Sequence, residues 1–176
     1  HDVLHRLNIN IDSKESVTFN DKLFECYSRA AIMASSELAK ERGAYSSFTG
    51  SLWDQDILPL DSWNNLMDYR GNNKSHKTHF EWGEVRESIK QHGMRNSNVM
   101  AIAPTATIGY INGIEQSIEP NFSTLFVYEC KSGNFYITNE HFVRDAKKEG
   151  IWSPELAALI KSVDGDLSLL NGDIPA

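Results

Sequence analysis

The sequence has 176 residues, of which 40% are hydrophobic and 23% are charged, and this composition is typical of a soluble globular domain. The 17 basic and 24 acidic residues give a net charge of -7, which argues against broad binding to nucleic acid or to an anionic membrane surface. Its cysteines, Cys26 and Cys130, are too few for a disulfide framework, and no apolar run approaches the ~18 residues of a membrane span. These features favour a cytoplasmic protein with reduced thiols.

A long helix is predicted over about residues 13–42, with Asp12 or Ser13 as its cap and Gly43 as its stop. An apolar stripe recurs along it at seven-residue spacing, formed by Val17, Phe24, Ala31 and Leu38. A second apolar set, which includes Cys26, lies on an adjacent face. Because the apolar arc is so wide, we expect this helix to pack between layers and Cys26 to be a core residue rather than a nucleophile.

Residues 43–80 are rich in Gly, Pro, Ser and polar turn formers, which predicts a long functional or partly mobile loop. His76 and His79 lie within it at a spacing of three. Without a helical pattern or a carboxylate cluster beside them, we interpret them as part of a solvated loop rather than as metal ligands. Residues 81–91 then suit a short helix that ends at Gly93.

The second half of the sequence predicts a strand, a hairpin and two helices. The continuous apolar run "NVMAIAP", residues 98–104, is typical of a parallel strand buried on both faces, within a strand-turn-helix unit over residues 97–112. Two β-rich runs around a Ser-Gly connection indicate a hairpin at about 123–138. Helices follow over residues 139–163, capped by Asn139 and Ser153. This order of elements favours an α/β fold.

The turn after the predicted strand is a candidate phosphate site, formed by Pro104, Thr105, Ala106, Thr107 and Ile108. A proline ends a strand because it lacks an N–H, and the first backbone N–H groups of the following helix have no helical partner. Two threonine hydroxyls beside them add donors that suit a phosphate. Threonine is also an ordinary helix cap, and the turn carries no glycine-rich loop and no P-loop lysine, so a purely structural turn remains the alternative.

The residues around this turn carry a family resemblance. The segment that starts "MRNSNVMAIAPTATIGYINGIEQSIEPNFS" and runs on to "KKEGIW" resembles the large, catalytic subunit of class I ribonucleotide reductase. The earlier "ASSELAKERGAYSSFTGSLWDQDILPLDSW" and the opening "HDVLHRLNI" are similar to the preceding part of the same subunit. "APTATI" followed by "IEP" is the most specific portion. Ala106 is typical of class I, since the B12-dependent class usually has glycine there, and a fragment of that class is the second family alternative.

The resemblance implies part of a ten-stranded α/β barrel, incomplete in this chain, in which Pro104 to Ile108 hold the phosphates of a ribonucleoside diphosphate. It also implies a radical supplied by a metal-containing small subunit and a thioredoxin-type reductant in the full enzyme. Cys26 and Cys130 do not match the family's catalytic cysteines, so no catalytic residue and no bound cofactor or metal is expected in this chain.

Both ends of the sequence lie within patterns that resemble continuing elements, which predicts that residues 1–176 are a partial barrel domain. An incomplete barrel exposes strand edges and an apolar face, so we expect the chain to form a homo-oligomer or to need the remaining parts of the large subunit. It is then inactive alone. A free-standing nucleotide-phosphate-binding module is the alternative from a different functional class.

Overall fold

The structure, a computed structural model, describes residues 1–72, 76–121, 123–131 and 133–170. In chain order the helices are α1 (Asp2–Arg6), α2 (Lys14–Arg42), α3 (Pro59–Tyr69), α4 (Gly83–His92), α5 (Ala106–Asn112), α6 (Glu140–Lys148) and α7 (Pro154–Ser162), and the strands are β1 (Leu125–Cys130) and β2 (Gly133–Thr138). The chain divides into two compact units, one of residues 14–101 and one that combines residues 1–13 with residues 102–176. We call them the α2–α4 unit and the hairpin unit.

The α2–α4 unit is held together by the packing of its two namesake helices. Its core is the buried cluster Ile32, Val85, Ile89 and Met94. Small side chains let the two helix backbones approach each other: Ser36 is fully buried, and its hydroxyl lies 2.8 Å from that of Ser88. Ser35 accepts a hydrogen bond from the backbone N–H of Asn96, which fixes the chain just after α4.

The buried face of α2 differs from the predicted one. The structure buries Ser16, Ile32, Ser35, Ser36 and Ala39, whereas Val17 of the predicted stripe is 69% exposed. Cys26 is exposed as well, so its assignment to the core is wrong. The apolar pattern of α2 does not predict which face is buried, because α4 packs against the face with small side chains rather than against the most apolar face.

The loop predicted over residues 43–80 contains a helix that the sequence reading missed. Pro59 occupies the first helical position of α3, and the Asp61 carboxylate accepts the backbone N–H of Leu58 at 2.9 Å. A proline followed by an acidic residue two positions later is an ordinary helix start, so the signal was present. The turn-forming residues around it concealed the helical period.

The hairpin unit pairs β1 with β2 in antiparallel register, from Leu125 opposite Thr138 to Cys130 opposite Gly133. Cys130 ends β1, and its side chain lies outside the part of the structure that is described. A second core forms around Leu156, Ile160 and Leu170. The predicted caps are confirmed: Asn139 accepts two backbone N–H groups at the start of α6, and Ser153 accepts the N–H of Leu156 at the start of α7.

The buried parallel strand predicted at residues 98–104 is wrong. These residues form no strand, and Ile102 is 66% exposed. A strand needs a neighbour for its backbone groups, and among the described residues the sheet consists of β1 and β2 alone. The fold is therefore mixed helix and sheet, without a closed barrel in the part that the structure describes.

Candidate functional site

The predicted phosphate turn lies on the surface of the hairpin unit. Pro104, Ala106, Thr107 and Ile108 are exposed and Thr105 is half-buried. The carbonyl of Thr105 accepts the backbone N–H of Gly109 at 2.7 Å, so Thr105 is the residue that precedes α5. Its φ of 49° is unusual for a β-branched residue and marks local backbone strain. The structure therefore keeps the five predicted residues together in one continuous turn.

The Thr105 hydroxyl does not cap α5. Its Oγ1 instead accepts the backbone N–H of Ser117 at 2.8 Å, across a span of twelve residues. Because this bond uses the oxygen as an acceptor, the hydroxyl hydrogen is left to donate elsewhere. The backbone N–H groups of Ala106, Thr107 and Ile108 form no hydrogen bond with any residue in the described ranges. The turn thus presents several donors that have no acceptor among the described residues.

Residues 113–117, which we call the support loop, fold back against α5. The N–H of Ile114 donates to the carbonyl of Gly109 at 3.0 Å. Gly109 is buried by this contact, and a Cβ at that position would lie 3.0 Å from the Ile114 carbonyl oxygen. The absence of a side chain at Gly109 therefore allows the loop to bring Ser117 to Thr105. The sequence does not predict Ser117 as part of the site, because no local pattern connects it with the turn.

The middle of the support loop is held by α1. The Asp2 carboxylate accepts the N–H of Glu115 through Oδ2 at 3.0 Å, and its Oδ1 lies 2.9 Å from Nε2 of His141. Burial by itself would raise the pKa of Asp2, but the hydrogen bonds from His141 and from the Glu115 N–H outweigh it and lower the pKa. Burial raises the pKa of the Glu115 carboxyl, and the Asp2 charge adds to that effect. Asp2 is therefore an anionic anchor for the loop.

In the α2–α4 unit, His76 and His79 are exposed, as expected for a solvated loop, and both also contact Asp21. Their Nε2 atoms lie 3.0 and 2.7 Å from the two oxygens of Asp21. The Glu25 carboxylate accepts the N–H groups of His79 and Phe80 and the Trp82 indole N–H, and these bonds lower its pKa against the opposing effect of burial.

These contacts border an apolar cleft of about 440 Å³ lined by Phe24, Leu58, Trp63 and Trp82. Across the described residues, no group of three or more His, Cys, Asp or Glu side chains is arranged to hold a metal ion. None of the described helices has the length and apolar character required to cross a membrane.

Comparisons with known proteins converge on one family. Residues 1–172 match the family model of the ribonucleotide reductase barrel domain. Over 169 residues the chain is 46% identical to the ribonucleoside-diphosphate reductase subunit alpha of Chlamydia pneumoniae, and this alignment covers 94% of the chain but 16% of the relative. The chain is 32% identical to the ribonucleoside-diphosphate reductase large subunit of Plasmodium falciparum, in an alignment that covers 99% of the chain and 20% of the relative. It is also 32% identical to the ribonucleoside-diphosphate reductase large chain 2 of Saccharomyces cerevisiae, in an alignment that covers 94% of the chain and 18% of the relative. The chain thus spans a fifth or less of the length of these relatives.

Proposed function

Because this chain belongs to the ribonucleotide reductase barrel-domain family, we propose that it is part of the large subunit of a class I ribonucleoside-diphosphate reductase. Such an enzyme reduces ribonucleotides to deoxyribonucleotides by radical chemistry. In this proposal the turn formed by Pro104, Thr105, Ala106, Thr107 and Ile108 holds the phosphates of the ribonucleoside diphosphate substrate. A cytosolic setting is part of the proposal, and the exposed thiol of Cys26 is compatible with it.

The observation that carries the phosphate site is the set of unused donors at the turn. Three successive N–H groups, from Ala106 to Ile108, have no acceptor among the described residues, and the Thr105 hydroxyl keeps its hydrogen free to donate. Hydrogen bonds from such donors to an anionic oxygen are shorter and stronger than bonds between neutral groups. The seven residues of α5 make a short helix, so we rest the proposal on these donors and on the family match rather than on a helix dipole.

We propose that residues 98–112 complete their fold inside a ten-stranded barrel. Several apolar side chains of this range are exposed, with Ile102 at 66% and Ile111 at 78%. Such side chains gain stability once neighbouring segments cover them. In this proposal the remaining parts of the large subunit supply that cover.

The chemical step itself does not run through residues of this chain. Cys26 lies on α2 as a free, exposed thiol. The radical, from a metal-containing small subunit, and the thioredoxin-type reductant belong in this proposal to the full enzyme. The residues of this chain bind and orient the diphosphate, which fixes the position of the attached ribose.

A nucleotide titration tests the phosphate site directly. We expect ADP to shift the backbone amide signals of Thr105, Ala106 and Thr107 in an ¹⁵N-labelled 176-residue chain, and adenosine to shift them far less. Replacing Thr105 or Thr107 by alanine removes a hydroxyl that donates to phosphate. Each change is expected to weaken ADP binding by about 1.5 to 3 kcal/mol, as for a hydrogen bond to a charged group.

Thr49→Ala provides the matched control, because Thr49 is an exposed threonine in the α2–α4 unit. It should leave ADP affinity unchanged. If ADP and adenosine give the same shifts, or if Thr105→Ala and Thr107→Ala bind ADP as tightly as Thr49→Ala does, the turn is not a phosphate site in this chain.

A further inference from the structure

The support loop connects the phosphate turn to a residue more than a hundred positions away. One end of the loop reaches Thr105 through the Ser117 N–H, at 2.8 Å from Oγ1. Its middle reaches Asp2 through the Glu115 N–H, at 3.0 Å from Oδ2. Both bonds use backbone donors of the same short segment, so a displacement of Glu115 also displaces Ser117.

Asp2 is itself held in place. Its second oxygen, Oδ1, lies 2.9 Å from Nε2 of His141 on α6, and only 23% of its side chain and 13% of the His141 side chain are exposed. Arg144 extends this network, with Nη1 at 3.4 Å from Nδ1 of His141. A carboxylate fixed by a second element is a better anchor than a mobile one, because less side-chain entropy is lost when it accepts another bond.

The contact with α5 limits how the support loop can adjust. Ile114 donates to the Gly109 carbonyl, and a Cβ at Gly109 would make a tight contact, 3.0 Å, with the Ile114 carbonyl oxygen. Ser117 has a φ of 52° and Thr105 one of 49°, so both partners of the Ser117–Thr105 bond hold backbone conformations that non-glycine residues rarely adopt. Conformations of this kind persist only where the surroundings over-determine them.

We propose that Asp2 is a positioning residue for the phosphate site and that it acts through the support loop to orient the Thr105 hydroxyl. This inference rests on the proposed function, because it assigns a role at the same site. Asp2 touches no part of the turn itself. Asp2 accepts the Glu115 N–H and so holds the support loop. The loop positions the Ser117 N–H, which donates to Thr105 Oγ1. The Thr105 hydroxyl hydrogen is then directed away from the loop.

The test compares three variants of the full 176-residue chain. Asp2→Ala removes the acceptor for Glu115, Asp2→Asn retains an oxygen at the same position, and Asp12→Ala removes an exposed carboxylate of the same unit as the matched control. We expect Asp2→Ala to weaken ADP binding about three- to tenfold, the range for one lost hydrogen bond. Adenosine affinity should stay constant, Asp12→Ala should bind ADP as the unmodified chain does, and Asp2→Asn should lose less ADP affinity than Asp2→Ala.

The Ser117 amide signal supplies a readout that does not need the ligand. Thr105→Val removes the acceptor oxygen and so defines how the Ser117 signal moves when the bond is lost. Asp2→Ala should move it in the same direction, and Asp2→Asn should restore it. In the Thr105→Val background, Asp2→Ala should cause no further loss of ADP affinity, because the two changes act on one hydrogen bond.

Gly109→Ala displaces the loop from its other side and leaves Asp2 intact, which covers the case in which Asp2→Ala does not fold. It should move the Ser117 signal and reduce ADP affinity without affecting adenosine. The Asp2 role is overturned if Ser117 stays in place in Asp2→Ala, if ADP and adenosine lose affinity equally, or if the losses from Asp2→Ala and Thr105→Val add. An unmodified chain that gives no ADP response overturns the proposed function and the phosphate role of Asp2 together. A normal ADP response with unchanged affinity in Asp2→Ala overturns the Asp2 role alone.

Discussion

The helix pair of the α2–α4 unit and the segment from Met100 to Ile118 are both rich in apolar residues, yet the first buries them and the second does not. Ile32, Val85 and Met94 are at most 1% exposed, whereas Ile102, Ile108 and Ile111 are more than 60% exposed. In the α2–α4 unit, α4 supplies a complementary face for α2, so the apolar side chains between the two helices are covered. Among the described residues no such face covers Ile102, or Ile108 and Ile111 of α5.

This difference bears on function, because the exposed segment contains the candidate site. The donors of the phosphate turn are held by local contacts, from Thr105 to Gly109 and Ser117, rather than by a core. The α2–α4 unit is therefore expected to fold with its own core, while the turn depends on its support loop and on whatever covers the apolar side chains around it.

The largest expected effect is a difference in the free energy of unfolding between alanine variants of two methionines that lie six residues apart. Met94 is fully buried in the core of the α2–α4 unit, and Met100 is 46% exposed. Replacing Met94 by alanine leaves a cavity and should reduce the free energy of unfolding by about 2 to 5 kcal/mol. Met100→Ala should change it by less than about 0.5 kcal/mol. Urea denaturation of both variants measures this, and equal losses would mean that the exposed segment is packed in solution.

A second comparison uses two glycines of the hairpin unit with similar backbone angles. Gly165 has a φ of 79° and Gly150 one of 75°. A Cβ at Gly165 would overlap Ser123 Oγ and the backbone of Leu125, while a Cβ at Gly150 would meet no atom within 4 Å. Gly150→Ala should cost about 1 kcal/mol for the left-handed conformation alone, and Gly165→Ala about 2 to 3 kcal/mol because the start of β1 must also move.

Amide exchange of the hairpin residues measures the difference between Gly165→Ala and Gly150→Ala, because Ser123 and Thr124, which contact Gly165 and its neighbour Asp164, lead directly into β1. The Ser123 hydroxyl donates to the Asp164 carbonyl at 2.9 Å, and the Thr124 N–H donates to the Gly165 carbonyl at 3.2 Å. If Gly165→Ala and Gly150→Ala lose the same protection, this backbone contact does not hold the hairpin in place.

The smallest expected effect is a pH dependence of the hairpin unit that arises from His5. Its ring stacks on that of His141 at 4.8 Å, and Asp2, Asp145 and His1 also face it. Burial lowers the pKa of His5, and the charge of His141 lowers it further, against the opposing effect of the two carboxylates. The unfolded chain therefore binds this proton more tightly than the folded unit does.

It follows that the stabilising contribution of neutral His5 is complete above about pH 6.5 and is lost as the pH falls through the folded-state pKa. Glu115, whose pKa is raised, acts in the opposite direction in the carboxyl range, so the comparison is best made between about pH 7.5 and 5.5. His5→Gln should flatten the pH dependence of amide exchange in α6. His92→Gln, in α4, is the control, and the prediction fails if both variants keep the original slope.

The sequence predicted those parts of the fold that depend on neighbours along the chain. The long helix at about 13–42 is α2, and the Asn139 and Ser153 caps lie where the side chains of these residue types accept the first N–H groups of a helix. The turn-forming residues between 43 and 80 concealed α3, and the apolar run at 98–104 could not tell a strand from an exposed segment. Periodicity and capping reflect local energetics, whereas an apolar run by itself does not predict which other elements will bury it.

The sequence by itself determined the family, the helix starts and the residues of the candidate phosphate turn, because each of these is encoded in a continuous stretch. Only the tertiary structure decided which face of α2 is buried. It also decided that the Ser117 N–H, rather than an N–H of α5, donates to Thr105 Oγ1, and that Asp2 holds the support loop. The physical reason is distance along the chain. The Glu115–Asp2 bond joins residues 113 positions apart, and no local sequence pattern encodes a contact over such a distance.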